Sequence, residues 1–443
     1  MDSRQLWRSA LDHAGAGQME AAARDFEACA RLEPGNPDAW NNLGSALQLL
    51  RRFQEAEAAH RKALLLAPEH PEFRSNLGHA LFQLERLGEA EAELRRAGPH
   101  PDALFNLALV LRRAEKYEEA MAAYDALLAA DPGHARGRSL RAMALLEEGR
   151  FREGWEAYEC RWQLPEFQAL RRNRPPLWDG RPGPLLLHGE QGFGDAIQML
   201  RFVPELARRA EGLCLDLDAP LLPLIGDQGW RVKLPPFRPV PGASLPVMSL
   251  PRVMDLQPAQ LPGPIPYLRA DPGKREAWRE RLGPRRGRRV GLVWSGNPAY
   301  ESDAERSVPL AAFAPLRLVP DLQWISLQMG PGRDELPGLG TEAPMLDAAP
   351  HLLDFSDTAA LLSCLDLVLA VDTAVPHLAG ALGVPTWLLL PRPCDWRWGR
   401  EGQESRWYPG HRLFRQPRRG DWEGCLAAVG QELARDFGPP QPS

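Results

Sequence analysis

Lysine is nearly missing from this 443-residue chain: four lysines stand against 49 arginines, and isoleucine occurs only four times. That bias is the mark of a GC-rich genome and says little about function. Long apolar runs are missing too. No segment reaches the ~18 consecutive apolar residues of a membrane span, and Met1-Asp2-Ser3-Arg4-Gln5 leads into helical periodicity without an apolar leader. Paired cysteine motifs are absent. Cys29, Cys160, Cys214, Cys364, Cys394 and Cys425 lie far apart with no CxxC spacing, which argues against a disulfide framework or a zinc site and for reduced thiols. Positive charge is not in excess: a net charge of -5 makes a general nucleic-acid surface a poor expectation. These absences point to a soluble, cytoplasmic protein. Its 44% hydrophobic residues allow substantial cores, and its length suits about three domains.

Residues 3–165 repeat. Units begin at Ser3, Pro37, Pro71, Pro101 and Ala135, offsets of 34, 34, 30 and 34, so one unit is four residues short. Small residues recur where two helices must approach (Ala22, Ala56, Ala90, Ala120, Gly154), and proline closes three units (Pro34, Pro68, Pro132). The spacing resembles tetratricopeptide repeats and implies an all-α solenoid whose stacked helix pairs bury what one pair cannot. One position of the first helix reads Asn42, Asn76 and Asn106 in successive units. Their amides could form a ladder for the main chain of a protein or peptide partner, or could simply stabilise the hairpins.

Past a proline-rich linker, 166–184, the pattern becomes strand, turn and helix. Leu185 to His188 reads as a strand, Gly189-Glu190-Gln191-Gly192-Phe193-Gly194-Asp195 as a glycine-rich turn, and Ala196 to Arg209 as a helix. Gly189, Gly192 and Gly194 imply close backbone approach or positive φ. Further strands are expected at Leu213 to Leu217, Val290 to Ser295, Trp324 to Leu327, Leu352 to Phe355, Leu367 to Val371 and Trp387 to Leu390, with a charged helix from Lys274 to Leu282. The alternation implies parallel sheets in two Rossmann-like domains, 185–284 and 285–438. Asp372-Thr373-Ala374-Val375 would form the entrance of the helix after a buried strand, where unpaired N–H groups and the helix dipole attract phosphate. Asp372 is better suited to organising that turn or meeting sugar hydroxyls, since like charges repel. His377, in the first helical turn, either donates to phosphate or caps the helix.

The glycine-rich turn, Val293-Trp294-Ser295-Gly296-Asn297-Pro298 with Arg306-Ser307, Asp372-Thr373-Ala374 with His377, and Asp395-Trp396-Arg397-Trp398 together resemble bacterial tetratricopeptide-repeat glycosyltransferases. Their catalytic half is similar to the heptosyltransferases of glycosyltransferase family 9, and repeats preceding such a half also resemble protein O-GlcNAc transferases. The resemblance implies a GT-B fold, two Rossmann-like domains facing a cleft, and a metal-independent, inverting enzyme with no cofactor besides its nucleoside diphosphate sugar substrate. It makes Asp195 the general base, with a helix cap as the competing role. It sets Arg306 and Ser307 beside the donor diphosphate, and Gln328 and Glu335 beside the nucleoside.

Gln191 belongs to the turn, and His188 is either an acceptor contact or a packed histidine. The aromatic residues of Asp395-Trp396-Arg397-Trp398 and Trp407-Tyr408 would cover the cleft, or pack. Asp216-Leu217-Asp218 looks like a DXD metal motif in the wrong fold for one. The segment from Leu185 to Arg269 is short for an acceptor half, so the repeats would supply the missing surface. The resulting expectation is transfer of a sugar to a hydroxyl acceptor on a protein that the repeats recruit. The alternative is a repeat scaffold whose glycosyltransferase-like half is inactive.

Overall fold

The computed structural model describes residues 1–172, 174–236, 242–300, 302–339 and 345–437, and the chain divides into two compact units between Ala144 and Leu145. The expected domain end at 438 lies outside the described residues.

The first unit is a series of helical hairpins: α1 (Ser3–Gly15), α2 (Met19–Leu32), α3 (Pro37–Leu49), α4 (Phe53–Leu66), α5 (Pro71–Gln83), α6 (Leu87–Arg96), α7 (Pro101–Arg113) and α8 (Tyr117–Ala130), with α9 (Ala135–Glu147) crossing the division. Proline occupies the first turn of α3, α5 and α7, where its missing N–H costs nothing, and the Asn36 side chain caps α3 by accepting from the N–H of Asp38 at 3.1 Å. Small residues let the paired helices touch. A Cβ on Gly44 would lie 2.5 Å from the His60 ring, and one on Gly78 2.5 Å from Leu94 Cγ. Each first helix ends on a left-handed residue: Gly17, Arg51, Glu85, Glu115 and Gly149 all have positive φ, and they recur with the same 34, 34, 30, 34 spacing as the repeats. The missing four residues come out of α6, which has 10 residues where α2, α4 and α8 have 14.

The asparagine ladder is partly used inside the unit. Asn76 Nδ2 donates to Asn41 Oδ1 at 3.0 Å, and Asn106 Nδ2 donates to Ser75 Oγ at 3.2 Å, so each reaches back to the preceding repeat, to the residue just before the ladder asparagine there. These amides join repeat to repeat, whereas Asn42 makes no side-chain hydrogen bond among the described residues. Asn41 Oδ1 also meets His60 Nδ1 at 3.0 Å, and His60 Nε2 lies 2.8 Å from Gln48 Nε2. Full burial drives the His60 pKa down to about 3, with nearby His79 adding to the effect. The folded chain therefore refuses a proton that the unfolded chain accepts below about 6.5, so this stability is present above that pH and is lost as pH falls toward 3. Relative to His60→Gln, the wild type should lose about 2 kcal/mol between pH 7 and pH 5, measured by hydrogen exchange of the α3 and α4 amides. Parallel pH profiles of the two proteins would show that His60 does not titrate in this way.

The second unit begins inside the fifth repeat. Its last repeat helix, α10 (Phe151–Tyr158), packs Trp155 edge-on to Trp396 with ring centres 5.3 Å apart, and Phe151 against Trp407 at 5.9 Å. Two all-parallel sheets follow. The first contains β1 (Leu185–His188), β2 (Leu213–Asp216), β3 (Val232–Lys233) and β4 (Ala243–Pro246) in the order β3-β2-β1-β4. The second contains β5 (Arg288–Val293), β6 (Leu322–Ser326), β7 (Met345–Asp347), β8 (Leu367–Val371), β9 (Thr386–Leu390) and β10 (His411–Arg415) in the order β10-β9-β8-β5-β6-β7. The sheet is doubly wound, and its strand order reverses between β5 and β8. Val290, Leu292 and Trp294 belong to one core with Leu367, Leu369 and Val371. That core also takes in Cys425, Leu426, Val429 and Leu433 of the helix Trp422–Phe437.

Leu352 to Phe355 is not a strand. Asp354 caps a helix, Phe355–Leu362, accepting from the N–H groups of Ser356 at 2.7 Å and Asp357 at 3.0 Å, and Leu353 is left 84% exposed. The third strand is the short edge strand β7 instead. The expected helix from Ala196 to Arg209 is divided: Phe193–Met199 and Val203–Arg209 flank a 3₁₀ turn, with Pro204 in the first turn of the second segment.

Candidate active site

At a reversal of strand order, the loops after the two central strands part and leave a crevice beyond their carboxyl ends. In the second sheet these segments are Trp294 to Tyr300 with the short helix Asp303–Arg306 after β5, and Asp372 to Val375 after β8, and Val293 pairs in register with Ala370. The helix Ala374–Leu382 starts there and closes on left-handed Gly383. Its cap residue, Thr373, is extended and makes no side-chain capping bond; its Oγ1 is buried without a partner among the described residues. Pro376 removes one N–H from the first turn, leaving those of Ala374 and Val375 without a partner inside the helix, beside that hydroxyl. A buried donor without a partner is rare enough to need an explanation, and an acceptor oxygen from a ligand supplies one.

Arg306 stands on the facing segment. Its Nε donates to Asp303 Oδ1 at 2.9 Å, its guanidinium lies 4.7 Å from the Tyr300 ring centre, and its terminal nitrogens have no protein acceptor among the described residues. Ser307 is committed to the loop, donating to Asp303 Oδ2 and accepting from the N–H of Gly296, both at 3.0 Å. Gly296 leaves room for this pair, since a Cβ there would fall 2.2 Å from Asp303 Oδ1 and 2.6 Å from Arg306 Nη2 and would displace both side chains.

The glycine-rich turn of the first sheet meets this region. A Cβ on Gly194 would lie 2.8 Å from His377 Cδ2 and 3.5 Å from Ala374 Cα, so the absence of a side chain lets the helix Phe193–Met199 press against the helix Ala374–Leu382. Asp195 is not the cap of its helix. It occupies the third position and accepts the N–H of the cap residue Gly192 on Oδ2 at 3.0 Å, while Oδ1 is ion-paired with Arg397 Nη2. Arg397 also donates from Nη1 to Asp395 Oδ1 at 2.9 Å and from Nε to Gln198 Oε1 at 2.8 Å.

Three carboxylates and two guanidiniums thus converge. Burial pushes the Asp195 carboxyl above the ordinary range, opposed by Arg397. Burial and the charge of Asp395 raise Asp372 to about 7, against the pull of Trp398, Arg397 and Arg306. Burial, with Arg397, His411 and Arg201 adding to it, holds His377 neutral, far below its usual pKa. Its Nδ1 lies 3.0 Å from Tyr408 Oη.

Other expected contacts lie elsewhere or are already engaged. Gln328 is 2% exposed and locks the β5 loop: Oε1 accepts from the N–H groups of Trp294 and Ser295, and Nε2 donates to the carbonyls of Ser295 and Met329. Its amide is full, which removes it from nucleoside contact. Glu335 joins loops through Trp294 Nε1 at 3.2 Å and the N–H of Leu310 at 2.8 Å. Gln191 donates to Tyr158 Oη at 2.9 Å. His188 is fully buried at the end of β1; Nδ1 faces the Gly189 carbonyl at 3.0 Å, Nε2 has no partner among the described residues, and burial brings its pKa down to about 4. Asp216, of the DXD-like triplet, is ion-paired with Arg174. Trp396, Trp398 and Trp407 are at most 6% exposed, so their rings pack rather than cover a cleft, and Arg397 serves carboxylates rather than hydroxyls.

Residues 37–70 match one sequence family of tetratricopeptide repeats, and residues 76–135 and 105–159 match another. The N-terminal unit is built of tetratricopeptide repeats. Solved structures similar to this part of the chain include MamA, 20% identical over 38% of this chain and 95% of that one with a TM-score of 0.32. A thermophilic tetratricopeptide-repeat protein of Thermus thermophilus is 22% identical, over 38% of this chain and 95% of its own, with a TM-score of 0.35. Over nearly the whole length, the chain is 29% identical to protein FlbA of Caulobacter vibrioides, covering 94% of this chain and 76% of that one. The tetratricopeptide repeats therefore precede an α/β unit with parallel sheets. Among the described residues no helix is long and apolar enough to cross a membrane.

The sequence places Asp195, Arg306 and the Asp372 to Val375 turn in the loops that converge, but does not assign Arg397 to Asp195. The signal is faint: one arginine among 49, in a segment whose tryptophans suggest a sugar platform.

Proposed function

We propose that the chain is a metal-independent, inverting GT-B glycosyltransferase that moves a sugar from a nucleoside diphosphate to a hydroxyl acceptor. One observation carries the reading: the buried Thr373 hydroxyl, without a partner among the described residues, and two N–H groups unpaired within their helix lie at a strand-order reversal, with the terminal nitrogens of Arg306 uncommitted among those residues on the adjacent segment. Three neutral donors and a planar cation suit a diphosphate. As the acceptor oxygen attacks the anomeric carbon, Asp195 takes its proton, the bond from that carbon to the diphosphate oxygen breaks, and the electron pair leaves with the nucleoside diphosphate. Charge growing on that leaving group is met by Arg306 and the helix entrance. The tetratricopeptide repeats support a protein partner or acceptor.

Each charge-assisted contact is worth ~1.5–3 kcal/mol, so Arg306→Ala should weaken nucleoside diphosphate binding by roughly 10-fold to 150-fold in calorimetry. Unchanged affinity would remove Arg306 from the site. A panel of nucleoside diphosphate sugars, screened for thermal stabilisation and then for transfer, tests the function itself; a ligand at about 100 times its Kd adds ~2.7 kcal/mol. A pure docking scaffold would respond to none of them.

A further inference from the structure

We propose that Arg397 is a positioning residue, one that holds the Asp195 carboxylate ionised and in a single orientation for proton abstraction. The inference rests on the transferase reading for its chemistry but not for its geometry. Arg397 is nearly enclosed, with its side chain 9% exposed, and each donor edge is taken: Nη2 by Asp195, Nη1 by Asp395 and Nε by Gln198. Its guanidinium carbon lies 4.4 Å from the Trp396 ring centre. A guanidinium held at these points cannot swing to a ligand, so it acts through the groups it holds.

Gln198 extends the arrangement. It is wholly buried on the helix that carries Asp195, and its backbone carbonyl accepts from Arg201 Nε at 2.9 Å. The guanidinium is thereby fixed to one helix at two points, Asp195 and Gln198, about one turn apart. Asp195 retains the capacity for a further bond. A carboxylate has about four acceptor sites, Arg397 and the Gly192 N–H occupy one on each oxygen, and the side chain is 18% exposed.

The charges around Asp195 come from every neighbouring element. The loop after β9 contributes Arg397 and Asp395, and α10 contributes the neutral phenol of Tyr158; Asp372 at the end of β8 and neutral His377 on the helix Ala374–Leu382 face Arg397 instead. Arg397 is the cation in direct contact. Without it Asp195 would sit buried near Asp395 and would keep its proton to higher pH.

The test uses the full chain with Arg397→Gln and Arg397→Lys. In protein labelled with ¹³C at aspartate carboxyls, the Asp195 resonance is identified by its loss in Asp195→Asn, and its titration midpoint should rise by about one pH unit or more in Arg397→Gln. Arg397→Lys should fall between that variant and the wild type. The acid limb of kcat/KM for sugar transfer should move by the same amount, roughly a tenfold loss at any fixed pH below the limb. An unmoved midpoint in both variants, with transfer lost, would make Arg397 a packing residue and overturn the proposal. If Arg397→Gln does not fold, Arg397→Lys carries the same comparison. A moved midpoint in a chain that transfers no sugar would uphold the role of Arg397 in the charge of Asp195 and refute the transferase reading alone.

Discussion

Asp195→Asn should lower sugar transfer by ~10² or more while leaving donor affinity within a few-fold of wild type. The substitution keeps the side-chain volume but only one of the two acceptors. The amide oxygen can accept either the Gly192 N–H or Arg397 Nη2, while Arg397 keeps Asp395 and Gln198. What disappears is a group able to take the acceptor proton as the new bond forms, a contribution made in the transition state and not in the donor complex. Because the carboxyl stands above its usual range, wild-type transfer should rise with pH through that pKa, and the variant should lose this limb. Single-turnover transfer and calorimetric titration of the donor separate the two effects. Transfer near the wild-type rate would leave Asp195 as a helix-start residue only.

Arg161→Ala should destabilise the second unit by ~3–5 kcal/mol, since it leaves a buried carboxylate without its cation. Arg161 and Glu190 both have fully buried side chains, joined at 2.8 Å from Nε and 3.0 Å from Nη2. Arg161 further donates to Glu159 and Ser249, and Glu190 accepts the N–H of Met248 at 2.8 Å, so one ion pair ties the end of the fifth repeat to the glycine-rich turn and to the segment after β4. Burial raises the Glu190 pKa, and Arg161 is the cation that opposes it. Replacing both partners, as in Arg161→Met with Glu190→Met, should recover much of the loss, since no charge is then stranded. Urea unfolding followed by tryptophan fluorescence measures both. A single variant within about 1 kcal/mol of wild type would show that water or local rearrangement compensates Glu190.

The same ion pair shows why reading the chain in segments has a limit. The repeat pattern runs smoothly through residue 165, yet α10 and Arg161 are packed into the α/β unit, because the fifth helix pair has Trp396, Trp407 and Glu190 against it in place of a sixth repeat. Strands β5, β8 and β9 are legible because both faces are covered, which forces continuous apolar runs such as Leu367 to Val371. The two-residue β3 and three-residue β7 carry too few side chains to show a pattern, and β10 is written His-Arg-Leu-Phe-Arg, with its arginines half-buried. Glycine and threonine at loop positions signal the helix entrances. Nothing local can signal that Arg397 reaches Asp195 across 202 positions of sequence, or that Gln328 has no free capacity.

The shortened third repeat shows how this solenoid tolerates loss. Ala90 and Leu94 keep the 34-residue register of Ala56 and His60, so the four residues, about one turn and about 6 Å of helix, are lost from the carboxyl end of α6, beyond its buried stripe. Trimming a helix at its end leaves every preceding side chain on the face it already held. The array therefore shortens its period at the outgoing end of a helix pair, and the next repeat resumes at Pro101 with the same cap chemistry as Pro71.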